Sequence, residues 1–175
     1  MKKCFVISCC LMVFIFGVST YATAATYDYT QALDVTLYGT GSYSWSMPVT
    51  PDFQIPFDTL NSATLRISAY YVDSEAADRV YVEGNYQGAL NGSWLFFPSS
   101  TTFNIGDVFT TWASGDPLNV TLAYNEWGWF GPGSLFLDSA TLRIDYTNAV
   151  PEPTTMLLLG LGLVGVAGVR RKLKL

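Results

Sequence analysis

The chain has 175 residues, of which 15% are aromatic and 13% charged, with fourteen carboxylates, nine lysines and arginines and no histidine. Its three cysteines, Cys4, Cys9 and Cys10, all lie near the start, so residues 25–150 contain neither Cys nor His and set three arginines against thirteen carboxylates, a net charge of −10. These counts exclude an imidazole base, a thiol nucleophile, the usual zinc ligands and a disulfide scaffold, and they repel nucleic acid.

Met1-Lys2-Lys3 is a basic opening, Cys4 to Val18 is almost unbroken apolar sequence, and Ala22-Thr23-Ala24 supplies a small-x-small cleavage pattern. Residues 1–24 therefore read as a signal peptide removed by signal peptidase. The segment Val6-Ile7-Ser8-Cys9 matches a lipobox by letter but lies too early in the apolar run to act as one. The next stretch, residues 25–149, is long enough for one domain with a two-layer core. Lacking cysteine, that exported domain must stand on its own packing.

Its pattern is all-β. No helical period lasts beyond two turns, whereas period-two segments rich in Tyr, Thr, Val, Phe and Trp recur throughout. Asp34 to Tyr38 alternates, Gly39-Thr40-Gly41-Ser42 reads as a turn, and Tyr43 to Met47 alternates again. Pro48, Pro51 and Pro56 make the next stretch irregular. Ala63 to Val72 then sets Leu65, Ile67, Ala69 and Tyr71 against Thr64, Arg66, Ser68 and Tyr70. Asp78 to Leu90 has the form of a hairpin with Gly84-Asn85 as its two-residue turn.

Further strands are expected at Trp94–Phe97, Thr101–Ile105, Leu118–Tyr124, Ser134–Leu137 and Ala140–Tyr146, with one helical turn within Asp107–Ala113. Trp45, Trp94 and Trp112 read as core residues. Nine or ten short strands separated by turn signals predict a β-sandwich of jelly-roll type. The hexapeptide Ser62-Ala-Thr-Leu-Arg-Ile67 recurs as Ser139-Ala-Thr-Leu-Arg-Ile144. Two copies are too few for a solenoid; they predict two neighbouring strands in the same environment, with Arg66 or Arg143 near Asp145 and the last strand at a sheet edge. The segment Asp73 to Leu90 is also similar to a β-sandwich segment of exported bacterial surface proteins, a resemblance that implies no activity.

Without Cys or His, catalysis would need a carboxylate pair drawn from Asp73, Glu75, Asp78, Glu83, Asp116 and Glu126. In so acidic a chain two such groups meet by chance, and the expectation is that the protein is not an enzyme and has no cofactor. Asp73, Glu75 and Asp78 lie between strands and read either as a solvated polar loop or as oxygen ligands of a structural calcium, without the spacing of a known calcium loop. Glu126-Trp127-Gly128-Trp129-Phe130-Gly131-Pro132-Gly133 reads as a loop in which Trp127, Trp129 and Phe130 either cap the core or form a platform for a glycan or partner. Asn91-Gly92-Ser93 and Asn119-Val120-Thr121 fit the glycosylation sequon by letter only.

The chain ends in three successive segments, spanning residues 150–175. Val150-Pro151-Glu152-Pro153 is a stiff junction through which no helix runs, because each proline fixes its own φ and biases the preceding residue to extended backbone. Residues 154–169 carry no charge; as a helix they span about 24 Å, short of a hydrocarbon core of about 30 Å. Their glycines, 160, 162, 165 and 168, lack the four-residue spacing of a dimerising membrane helix. Arg170, Arg171, Lys172 and Lys174 come last and hold the terminus on the cytoplasmic side.

In this order a Pro-Glu-Pro triplet, an apolar span and a basic cluster closely resemble the PEP-CTERM sorting domain of exported bacterial proteins. The resemblance implies a transmembrane helix that holds the chain transiently in the inner membrane and cleavage near the triplet by an exosortase. It also implies final delivery to the cell surface or the medium, in association with exopolysaccharide or biofilm matrix. The alternative function for the domain itself is a carbohydrate-binding β-sandwich module.

Overall fold

The computed structural model describes residues 22–72, 78–93, 97–128, 131–149 and 159–164. The chain divides into two compact units, residues 24–148 on one hand and the terminal segments 1–23 and 149–175 on the other. The expected leader lies outside the described residues as far as Tyr21.

Residues 24–148 are all-β. Strand β1 runs from Ala24 to Met47, β2 from Thr59 to Tyr70, β3 from Arg79 to Val82 and β4 from Asn85 to Ala89. Strand β5 runs from Ser99 to Asn104, β6 from Leu118 to Gly128, β7 from Gly131 to Pro132 and β8 from Ser134 to Thr147. One antiparallel path, β4-β3-β6-β1-β8-β2-β5, links seven of them, and β7, off this path, pairs with β6.

The organising element is β1. Residues 24–38 pair with β8, whereas residues 39–47 pair with β6. The change of partner falls at Gly39, whose φ of 67° is open to glycine at no steric cost. The glycine-rich stretch expected to be a turn therefore bends a continuous strand from one layer into the other. The first layer is β1(24–38)-β8-β2-β5 and the second is β4-β3-β6-β1(39–47). Two residues after the bend, Gly41 lies opposite Tyr124, and a β-carbon there would come within 2.7 Å of the phenol oxygen. The ring thus covers backbone that any larger residue would lift away.

Alternation puts the apolar residues of both layers into one core. Leu65, Ile67, Leu135, Leu137, Leu142 and Ile144 come from the first layer; Trp45, Met47, Val80, Val82, Val120 and Leu122 come from the second. Burying each such side chain contributes about 1.5–3 kcal/mol. An aromatic cluster from outside the ladder joins this core. Phe53 is fully buried, with its ring centroid 5.1 Å from that of Tyr146, 5.6 Å from Phe109 and 6.0 Å from Trp112. Phe109 sits in the 3₁₀ turn Val108–Thr110, and the Trp112 indole N–H donates to the Asp116 carbonyl. Trp45 and Trp112 are core residues as expected, while Trp94 lies outside the described residues.

The outer strands of the path approach each other at β4 and β5. Gly88, at φ 144°, leaves so little room that a β-carbon would come within 3.1 Å of the Phe103 ring. A bulge in the β3–β4 hairpin sets up this position, since Val80 pairs with Gly88 but Tyr81 pairs with Tyr86. The hairpin turn is Glu83-Gly84, one residue earlier than the sequence predicts. Both residues have positive φ, and the Glu83 carboxylate accepts from the backbone N–H and the side-chain amide of Asn119.

The repeated hexapeptides do lie side by side, on β2 and β8. Strand β8, however, is flanked by both β1 and β2, so the chain leaves from the middle of a layer and not from its edge.

Candidate functional site

The three sequence-derived site regions fare differently. Val150, Pro151, Glu152 and Pro153 lie outside the described residues, as do Arg170, Arg171, Lys172 and Lys174. Of the apolar span 154–169, residues 159–164 are described; they are helical, with Leu159, Leu161, Leu163 and Val164 exposed. Among the described residues no helix is long and apolar enough to cross a membrane.

The aromatic segment expected as a loop is in part a hairpin. Trp127 pairs with Pro132 and Gly128 with Gly131, so β6 continues two residues past Glu126 before the chain returns. Alternating sequence ends at Glu126, and the glycines that suggested a loop instead permit a close two-strand ribbon. Trp129 and Phe130 lie outside the described residues.

Asp73 and Glu75 also lie outside them. Asp78 does not belong to a solvated loop: it is 1% exposed, and its Oδ1 accepts the backbone N–H of Asn125 at 3.2 Å. The physical reason is register. Asp78 immediately precedes β3, which pairs with β6 from Arg79 and Ala123 onwards, so its carboxylate meets the continuing backbone of β6. Glu126 is buried as well, whereas Glu83 is committed to its turn. Among the described residues no group of three or more Cys, His, Asp or Glu could hold a metal ion.

The outer face of the first layer, which the sequence marked only as polar, is graded from end to end. At one end Asp145 accepts hydrogen bonds from Thr26 at 2.6 Å and from Ser62 at 2.9 Å, tying β1, β8 and β2 together. Arg143 lies 3.4 Å from Asp145 on the same strand and 3.5 Å from Asp28 across the ladder, while Arg66 donates to Ser100. The expected Arg143–Asp145 pair is therefore present, but along one strand, and the cross-strand pair is with Asp28.

The hydrogen bonds from Thr26, then those from Ser62 and Arg143, hold the Asp145 carboxyl below its ordinary value. Because the folded value is depressed, the associated stability is present above the unfolded value of about 4 and is lost as pH falls through the lower folded value. Between those values the midpoint of thermal unfolding is expected to fall less steeply with pH in Asp145→Asn than in wild type. Equal slopes in the two proteins would remove Asp145 from acid sensitivity.

A central band of hydroxyls comes next, including the Thr30–Thr141 pair with its oxygens 2.9 Å apart. The far end is aromatic: Tyr38 is 69% and Tyr71 42% exposed, and the half-buried Tyr70 and Phe136 lie between hydroxyl-bearing neighbours. Period-two alternation already turned Tyr70 away from the core. It put Tyr71 inside, but a φ of 61° carries that residue out to solvent.

Comparison with known proteins bears on the tail. Residues 149–172 match the family described as the PEP-CTERM protein-sorting motif. No curated protein matches the chain. Similar solved structures include the infectious bursal disease virus VP2 subviral particle, at 11% identity and a TM-score of 0.41 over 73% of this chain and 37% of that one. A β-porphyranase of glycoside hydrolase family 86 from the human gut bacterium Bacteroides plebeius gives 13% and 0.44 over 76% of this chain and 22% of that one. The CBM36-1 domain of a multidomain xylanase from the hindgut metagenome of Trinervitermes trinervoides gives 13% and 0.38 over 69% and 96%. The chain thus spans well under half the length of the first two. The C-terminal segment is a PEP-CTERM protein-sorting motif, which implies an exported protein that an exosortase processes.

Proposed function

We propose that the protein is a non-enzymatic surface or matrix component. Its leader, residues 1–24, is removed by signal peptidase; its apolar segment, 154–169, holds it briefly in the inner membrane; and an exosortase then cuts near Val150–Pro153. The domain is thereby placed on the cell surface or released, in contact with exopolysaccharide. The observation that carries this reading is the sorting motif at residues 149–172. A helix of about 24 Å suits a segment held briefly better than a lasting anchor.

Intact-mass measurement of the protein recovered from a host that makes an exosortase tests it. The expected product starts near Ala25 and ends near the Pro-Glu-Pro triplet. A product still ending at Leu175 would overturn the proposal.

The sandwich is further proposed to be a jelly roll. With the two halves of β1 counted separately, its layers nest as two four-stranded sheets in which the first half lies beside the last strand. Its folding is proposed to need no metal or cofactor, because Asp78 already has a backbone donor and its own place in the ladder. Chelator and added calcium are accordingly expected to leave the thermal midpoint unchanged. A rise with calcium would instead establish the structural calcium site.

Carbohydrate binding by the domain is the second reading, favoured by aromatic rings exposed among hydroxyls on a sheet face.

A further inference from the structure

We infer that the distal outer face of the first layer, built from Tyr38, Tyr70, Tyr71 and Phe136, is a stacking platform for a neutral polysaccharide chain. This deepens the carbohydrate-binding reading and rests on it, but builds the site from rings other than Trp127, Trp129 and Phe130.

The rings form a path across three neighbouring strands. Thr36 of β1, Phe136 of β8 and Tyr70 of β2 stand in one row of the ladder, and Tyr38 is two residues further along β1 opposite Ser134. The Phe136 and Tyr70 centroids are 5.8 Å apart, and those of Tyr70 and Tyr71 are 6.3 Å apart. Tyr38 is the diagonal neighbour of Phe136, within about 7–8 Å along the sheet. Outward rings at these intervals make an extended strip rather than a cavity, the shape a polymer chain can follow.

The surroundings select the occupant. A partner protein or a lipid surface is held by contiguous apolar area, whereas here the neighbouring outward residues are Thr36, Ser134 and Ser139. A sugar ring presents C–H faces to an aromatic ring and hydroxyls around its edge, which matches adjoining rings bordered by hydroxyls. Charge narrows the class further. Asp34 and Asp138 flank the strip at the bulge between Ala32 and Val35, while Arg66 and Arg143 lie beyond it, towards the opposite end of the face. An anionic polysaccharide would meet carboxylates with no nearby described cation, so the platform fits an uncharged chain.

Ser134 and Thr147 are the two ends of β8, roughly 40 Å apart at about 3.3 Å per residue. The rings therefore stand at the opposite end of the layer from the point where the chain leaves it.

The test is affinity electrophoresis of the full-length protein in mild detergent, in native gels containing hydroxyethyl cellulose, galactomannan, dextran or, as the anionic arm, alginate. Wild type is expected to be retarded by at least one neutral polymer and not by alginate. Tyr38→Ser/Tyr71→Ser removes two solvent-facing rings without opening the core, and its affinity is expected to fall about tenfold. Trp127→Ala is expected to bind as wild type does. Retardation that survives the double substitution but is lost in Trp127→Ala overturns the platform and leaves carbohydrate binding standing. Absence of retardation in every neutral gel, or retardation by alginate alone, overturns the platform and the neutral-glycan reading together. The processing proposal is decided separately by mass measurement.

Discussion

Replacing Phe53 by alanine is expected to lower the stability of the domain by about 3–5 kcal/mol, the cost of removing a fully buried aromatic ring from a site that cannot collapse. The magnitude follows from the neighbours. Phe53 lies in the proline-containing stretch between β1 and β2, yet its ring touches Tyr146 at the end of β8 together with Phe109 and Trp112 from the segment after β5. All three neighbours are themselves buried, so none can swing inward to fill the space. Denaturant unfolding should show a lower midpoint at an unchanged m-value. A loss below about 1 kcal/mol would mean that this end of the core repacks and that the cluster is not a fixed plug.

The second large effect is expected at Gly88→Val, at about 2–4 kcal/mol. Two costs combine there. A φ of 144° is strained for any residue with a β-carbon, and that carbon would stand 3.1 Å from the Phe103 ring. They can be separated by a double-mutant cycle. In a Phe103→Ala background the steric part should vanish while the backbone part remains, so the two substitutions together should cost less than their sum. Strict additivity would show that β4 and β5 do not depend on each other at this position. The measurement thus asks whether the two outer strands of the path are energetically joined as well as close.

The all-β character was legible in the chain because alternation is a local property. Ser62–Ile67 and Ser139–Ile144 even announced a shared environment, and their strands are ladder neighbours. Features that depend on a partner strand were not legible. Gly39 to Ser42 resembles a turn by composition, but a strand that changes partners needs the same backbone freedom, and only the ladder distinguishes the two cases. Glu83 occupies a positive-φ turn position that its residue type does not advertise, and Asn119, far along the chain, supplies the compensating donors.

Asp78 looked solvated because its sequence neighbours are polar; its burial comes from β6. The tail is the opposite case. A sorting motif is recognised by the order of proline, apolar span and basic cluster, so it could be read directly from the sequence and the family match agrees. The aromatic strip lay between these extremes: the pattern exposed Tyr70, but assembling Tyr38, Tyr71 and Phe136 beside it required register and one backbone dihedral angle.

The interior position of β8 has a mechanical consequence. Any pull transmitted through residue 149 arrives at Thr147 along the axis of a strand bonded on both sides, to β1 from Ala24 to Tyr38 and to β2 from Thr59 to Tyr70. Against an opposing hold at the far end of the layer, such a force shears two ladders at once and must disrupt many bonds together. A terminal strand at a sheet edge has only one ladder to resist the same drag. The last strand of the domain is therefore held against such a pull by two ladders acting together.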